Sequence, residues 1–202
     1  MARLLLVRHG LTDHNVDRRV AGYTNVCLNE EGFRQAEKLN KHLADEKIDA
    51  VYSSDLQRAV DTAKGIVSGR DIEIVTCYEL REMNFGEAEE MTFVELNEKY
   101  PDLARSVMNV DTGVSFPGGE SFADFVKRVR VFLKTLEKFN EDHTVLIVSH
   151  GATLKVIVCE LLGIDPNHWY QMGIDNASLS VVNTYPHRTI LNSLNDTSHL
   201  ND

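Results

Sequence analysis

Two short apolar runs, each ending in His-Gly, constrain this chain more than any other feature. The first reads Leu4-Leu5-Leu6-Val7-Arg8-His9-Gly10 and the second Val145-Leu146-Ile147-Val148-Ser149-His150-Gly151. Four of the seven positions are identical. Each run is too short for a helix and reads as a strand buried on both faces. Strands of that kind belong to a mostly parallel sheet covered by helices on both sides. In open sheets of this type, ligands bind outside the carboxyl ends of the strands. Two strands that deliver a histidine there can aim both at one ligand. A lone His-Gly would read as a structural or surface histidine; the repetition of the whole unit favours a site. The glycines are expected to let backbone N–H groups approach an oxyanion closely.

The rest of the chain fits that frame. Asn29 caps an expected helix over about 30–46, with Phe33, Ala36, Leu39 and Leu43 on one face. A strand over Ala50–Ser53 is followed by Ser54 and Gln57 in a capping-box spacing that opens a helix to about Val67. Ile72–Thr76 reads as a strand, 92–109 as helical but broken at Pro101, and Gly113–Gly119 as a loop. A long amphipathic helix starts at Ser121. Thr144–Val148 is a strand, Ala152–Leu162 a helix, and Ser178–Tyr185 and Thr189–Leu194 two closing strands. The expected architecture is a three-layer α/β/α sandwich with a mostly parallel central sheet, one domain over residues 1–202. The segment 87–120 fits no strand–helix unit and reads as a lid insertion over one edge.

Lys and Arg total 21 against 31 Asp and Glu, a formal net charge of −10. A chain this acidic lacks the positive field that nucleic acid requires. Any site for a small anion must be locally basic against the global charge. Arg8 precedes His9 beside a buried run. Arg58 falls in the first turn of its helix, where unpaired N–H groups already favour an anion, and guanidinium forks match phosphate oxygens. No apolar run reaches the roughly 20 residues of a membrane span, and the start lacks the apolar stretch of a leader. Cys27, Cys77 and Cys159 stand far apart with no C-x-x-C, so reduced thiols, no zinc site and a cytoplasmic setting are expected. The phosphate-binding motifs G-x-x-x-x-G-K-[ST] and G-x-G-x-x-G are absent, as are H-E-x-x-H and D-x-D. The histidines are left as candidate nucleophiles, with no cofactor or metal called for.

The segment Leu6-Val7-Arg8-His9-Gly10-x-Thr12-x-x-Asn15 resembles the signature of the histidine phosphatase superfamily, in its phosphoglycerate-mutase-like branch. The resemblance continues in order through Gly22-Tyr23-Thr24, Leu28-Asn29-Glu30-Glu31-Gly32, Ser53-Ser54-Asp55-Leu56-Gln57-Arg58-Ala59, Leu80-Arg81-Glu82-Met83-Asn84-Phe85-Gly86, Pro117-Gly118-Gly119-Glu120-Ser121 and Ser149-His150-Gly151. It implies a metal-independent phosphomonoesterase in which His9 carries a transient phosphoryl group. By the same resemblance, Arg8, Arg58 and His150 hold the phosphoryl oxygens with Asn15, and Glu82 gives a proton to the leaving oxygen. Gly22, Tyr23, Thr24 and Gly151 join the substrate-binding set. Covalent catalysis of this kind splits one hard displacement into two easier ones, and fixed cations stabilise the charge on the transferred group.

Within the superfamily, the chain is short for a mutase. Its tail, Leu194-Asn195-Asp196-Thr197-Ser198-His199-Leu200, resembles the ending of α-ribazole phosphatases, which act late in cobalamin nucleotide-loop assembly. The chain departs from the family pattern at Ala88, where an aromatic is common, and at Glu90, where a glycine is common. The expected partner is a small phosphorylated metabolite, with no nucleic acid and no membrane, and a homodimer is compatible with the sequence. A broad small-molecule phosphatase, a mutase-type enzyme and a non-catalytic binding module are the alternatives.

Overall fold

The computed structural model describes residues 2–201. Six strands form one sheet: β1 Arg3–Arg8, β2 Ala50–Ser54, β3 Ile74–Cys77, β4 Thr144–Ser149, β5 Leu179–Tyr185 and β6 Arg188–Asp196. Their order is β3-β2-β4-β1-β5-β6. The first four in that order run parallel, while β5 and β6 close the sheet antiparallel. The helices are α1 Asp13–Val16, α2 Glu30–His42, α3 Gln57–Ile66, α4 Phe93–Lys99, α5 Pro101–Met108, α6 Phe122–Thr135 and α7 Gly151–Leu162. The expected three-layer α/β/α sandwich is the observed one.

Alternation along the strands sorts the core into two layers. Leu4, Leu6, Val145 and Ile147 face α6 and α7, and Leu5, Val7, Leu146 and Val148 face α2 and α3. All eight are buried, each contributing about 1.5–3 kcal/mol relative to exposure. This is why β1 and β4 read as unbroken apolar runs: both faces are covered.

Two boundaries differ instructively from the sequence reading. Helix α2 ends at His42 rather than near residue 46, because Leu43 turns out of the helix and packs in the core. Ser54 does not cap α3; it is the last residue of β2, and Leu56 occupies the cap position without a side-chain bond. The Ser54 hydroxyl accepts a long bond from Leu56 N–H (3.3 Å) but pairs more closely with His150. Strand β3 begins two residues late, at Ile74. Pro101 opens α5 as its first residue, which accounts for the break between α4 and α5. The insertion leaves the sheet after edge strand β3. Its Phe93, Leu96, Val107 and Phe116 reach a cleft lined also by Arg8 and His9. Among the described residues, no helix is long and apolar enough to cross a membrane.

Candidate active site

Parallel pairing of β1 with β4 sets Arg8 opposite Ser149. The next residues, His9 and His150, therefore leave the sheet side by side, their rings 5.1 Å apart between centroids. Strand β2 flanks β4 on its other side and ends at Ser54. The first turn of α3 brings in Arg58, which is 1% exposed.

The His9 ring is 4% exposed, and its Nδ1 lies 2.8 Å from the Gly10 carbonyl. A carbonyl only accepts, so Nδ1 carries the proton and Nε2 keeps its lone pair. Burial pushes the His9 imidazole well below its ordinary range, and the Arg58 and Arg8 charges push it further. The ring is neutral near pH 7, the form in which Nε2 can act as a nucleophile. His150 is fully buried and is shifted the same way, by burial first and then by Arg58. Its wiring is different. Arg58 Nε donates to its Nδ1 at 3.2 Å, so its Nε2 holds the proton and donates to Ser54 Oγ at 2.8 Å.

Arg58 is anchored by backbone. It donates to the carbonyls of Thr24 (2.8 Å), Ala21 (3.0 Å) and Gly22 (2.7 Å). Burial lowers its pKa to about 10, against the pull of Glu82 and Glu89, and it stays charged. Arg8 donates from Nη1 to the Ile174 carbonyl at 2.7 Å, while its buried Nε has no partner among the described residues. Neither guanidinium forms an ion pair there. Arg58 is buried and Arg8 half-buried; two such cations without a carboxylate partner would be costly in a purely structural role and are suited to receive an anion.

Asn15 and Glu82 line the same cleft, of about 360 Å³. Asn15 Oδ1 accepts from Thr12 and from Asn176 Nδ2, which fixes the amide. The Glu82 carboxylate accepts from Ala152 N (3.1 Å) and Thr153 N (3.3 Å) at the start of α7. Gly151 lies against Arg8, where a Cβ would meet the guanidinium at ordinary contact distance.

Gly22, Tyr23 and Thr24 stand behind Arg58; like Arg58, His150 and Gly151, they are not among the residues lining the cleft. Their carbonyls (Gly22, Thr24) hold Arg58, while the N–H groups of Tyr23 and Thr24 donate to the Glu89 carboxylate. At Gly22 a Cβ would fall 2.4 Å from the Met83 carbonyl, so close packing is what requires that glycine. Gly10 likewise answers to packing rather than to an oxyanion. A Cβ there would sit 2.6 Å from the Gly32 carbonyl, and its N–H already donates to Thr62 Oγ1.

Several contributors escaped the sequence reading. Arg128 on α6 donates to the carbonyls of Glu79, Arg81 and Glu82 and pairs with Glu120. It thereby fixes the segment that carries Glu82. Its signal was a charged residue at the edge of an apolar stripe. Glu90 adopts φ 67°, the left-handed region where the family pattern has glycine, and its carbonyl is held by Arg19 Nη1 at 2.7 Å. Beside the cleft lies a cavity of about 190 Å³, sharing Phe85, Val107, Phe116 and Trp169 with it and adding Phe122 and Lys155. Ala88 is fully buried and lines neither space.

An α/β sheet whose strand ends gather two histidines and two arginines is the arrangement of a phosphoryl-handling enzyme of the histidine type. Residues 4–197 match the histidine phosphatase superfamily (branch 1), and the chain belongs to that superfamily as a phosphomonoester hydrolase. It is 35% identical over 202 residues to phosphoserine phosphatase 1 of Hydrogenobacter thermophilus, covering 100% of this chain and 96% of that protein. Its fold superposes on the α-ribazole phosphatase from Shigella flexneri with a TM-score of 0.89 at 30% identity, over 96% of each chain. It also superposes on a phosphoserine phosphatase from Entamoeba histolytica, solved with 3-phosphoglyceric acid, with a TM-score of 0.84 at 30% identity, over 99% of this chain and 100% of that one.

Proposed function

We propose that the chain hydrolyses a small phosphomonoester through a phosphohistidine on His9, with α-ribazole 5′-phosphate as its substrate. The observation that carries the chemistry is two guanidinium groups, Arg58 buried and Arg8 half-buried, with no carboxylate partner among the described residues, beside an imidazole whose Nε2 has no partner among those residues. In the first step, His9 Nε2 attacks phosphorus and the bond from phosphorus to the leaving oxygen breaks. That oxygen takes the proton of the Glu82 carboxyl. In the second step, water gives a proton to the Glu82 carboxylate and its oxygen attacks phosphorus. The P–N bond breaks, its electrons return to Nε2, and phosphate leaves. Arg8, Arg58 and Asn15 hold the phosphoryl oxygens throughout, and His150 serves the clamp by fixing Arg58.

Support for the leaving group comes from the adjoining cavity, walled by Phe85, Phe116, Phe122 and Trp169. Such a wall gains from burying the flat aromatic base of a riboside and offers little to a fully polar group. A second reading, phosphoserine, is favoured by one observation: Lys155 and Asp111 line that same cavity, opposite charges that suit a carboxylate and an ammonium. A panel of α-ribazole 5′-phosphate, phosphoserine, 3-phosphoglycerate and nitrophenyl phosphate separates them. We expect kcat/KM for α-ribazole 5′-phosphate to exceed that for phosphoserine by at least about tenfold, a modest 1.4 kcal/mol of discrimination, and activity to persist in excess chelator. A preference for phosphoserine that disappears in Lys155→Met would establish the second reading instead.

A further inference from the structure

The tail motif Leu194–Leu200 lines neither the cleft nor the apolar cavity beside it. It touches something else of consequence. The loop between α7 and β5 wraps the end of β1 and holds both residues of its Arg-His pair. The Ile174 carbonyl accepts from Arg8 Nη1 at 2.7 Å. Ala177 N–H is shared between the carbonyls of Arg8 (3.1 Å) and His9 (3.2 Å). Asn176 Nδ2 donates to the His9 carbonyl and to Asn15 Oδ1, each at 3.1 Å.

That loop is in turn held from behind by the tail. His199, 6% exposed, donates from Nε2 to the Ala177 carbonyl at 3.0 Å. Its ring lies against His42, 5.1 Å between centroids. Asn195 makes a two-way bond with Asp175: its Oδ1 accepts from Asp175 N–H at 2.6 Å, and its Nδ2 donates to Asp175 Oδ2 at 2.8 Å. Ala177 and Asn195 both sit in the left-handed region, at φ 55° and 58°. An alanine there is disfavoured and stays only where its surroundings over-determine it. Asn tolerates that conformation better than most residues, which accounts for an asparagine at 195.

We propose that Asn195 and His199 are positioning residues for phosphoryl transfer, acting through the 174–177 loop on the His9 backbone and the Arg8 guanidinium. The inference rests on the reading that His9 and Arg8 carry the transfer. It gives the tail motif a role in setting the nucleophile rather than in choosing the substrate.

The test is the rate of acid-labile phosphoenzyme formation in rapid-quench experiments, well below every variant's melting transition. His199→Phe keeps a ring but has no donor, and His199→Gln keeps a donor but has no ring. Asn195→Gly keeps the backbone conformation and loses both bonds to Asp175. Val129→Ala, buried on α6 across the sheet, serves as a control for lost stability. A displacement near 1 Å at a reacting group can cost about 100-fold, so we expect His199→Phe and Asn195→Gly to slow the step about 10- to 100-fold. His199→Gln and Val129→Ala should stay near the wild-type rate. His199→Phe and Asn195→Gly at the wild-type rate would overturn the proposal, as would all four variants slowing in proportion to their loss of Tm. His9→Ala, run alongside, keeps the two readings apart. If it still forms phosphoenzyme, the His9 assignment fails; if it forms none while the tail variants react normally, only the tail inference falls.

Discussion

The β1–His9–Gly10 and β4–His150–Gly151 units begin from the same sequence pattern and end beside each other, yet their rings are held in opposite ways. His9 donates from Nδ1 to a backbone carbonyl, and its Nε2 has no partner among the described residues. His150 has both nitrogens engaged, Nδ1 by Arg58 and Nε2 by Ser54. Both rings are buried and both are pushed toward the neutral form by the same causes. The strand–His–Gly pattern therefore settles where a ring goes, while the hydrogen-bond partners decide which nitrogen is available. One ring has a lone pair to give; the other is a strut between Ser54 and the arginine clamp.

The largest effect expected from that difference is kinetic. His9→Ala removes the group with the free lone pair, so acid-labile phosphoenzyme and turnover should both vanish. His150→Ala leaves Arg58 without its Nε acceptor but leaves the proposed nucleophile, His9, in place. Its loss should resemble that of a transition-state donor, about 10²- to 10³-fold in kcat, with phosphoenzyme still forming in single-turnover experiments. Phosphoenzyme formation in His9→Ala, or its complete absence in a folded His150→Ala, would erase the distinction between the two rings.

A smaller effect probes the strut itself. The acceptor for His9 Nδ1 is backbone, so no substitution removes it without breaking the chain path. The acceptor for His150 Nε2 is the Ser54 hydroxyl, and Ser54→Ala deletes it. A buried N–H left without a partner costs about 1–3 kcal/mol, or roughly 2–12 °C in Tm for a chain of this size. The released ring should also loosen Arg58 and lower kcat/KM by about tenfold. Wild-type Tm and kcat/KM in Ser54→Ala would show that His150 is held without the hydroxyl.

Ser54 also shows where the sequence was legible and where it was not. Its spacing to Gln57 matches a capping box, and local pattern alone favours that reading. A residue 96 positions away claims the hydroxyl instead, and no local pattern carries that information. The same holds for Tyr23 and Thr24, whose donors are taken by Glu89. Strands β1 and β4 were legible because burial on both faces leaves an unbroken apolar run, and α6 because its stripe repeats at helical spacing. His9, Arg8, Arg58, Glu82 and His150 were legible as a resemblance in ordered motifs, and the structure brings them to one end of the sheet. Asn176 lies in a turn and Trp169 in a short 3-10 helix over Pro166–Gln171, where neither an apolar period nor propensity says which way a side chain faces. The tail was legible as a pattern, but its bonds to Asp175 and Ala177 became visible only once the chain was folded.

The smallest effect concerns what the two rings share. Both imidazoles are driven well below their ordinary range in the folded chain, whereas in the unfolded chain they titrate near 6.5. Above about pH 6.5 neither state binds these protons, and the two histidines contribute no pH dependence. Below it the unfolded chain takes up protons that the folded chain refuses, so stability falls as pH falls, by up to about 1.4 kcal/mol per pH unit for each ring. His199 is also lowered, chiefly by burial, and adds to the same slope. Between pH 7.5 and 5.5 each ring should therefore contribute a few degrees, at about 2–4 °C of Tm per kcal/mol. His9→Gln and His150→Gln should each flatten the Tm–pH curve by a similar share, because burial acts on both rings alike, even though their effects on turnover differ greatly. A curve flattened by only one of the two substitutions would mean that the rings differ in protonation as well as in wiring. If His150→Gln were the one without effect, the neutral His150 on which the strut depends would have to be given up; if His9→Gln were, the neutral His9 would.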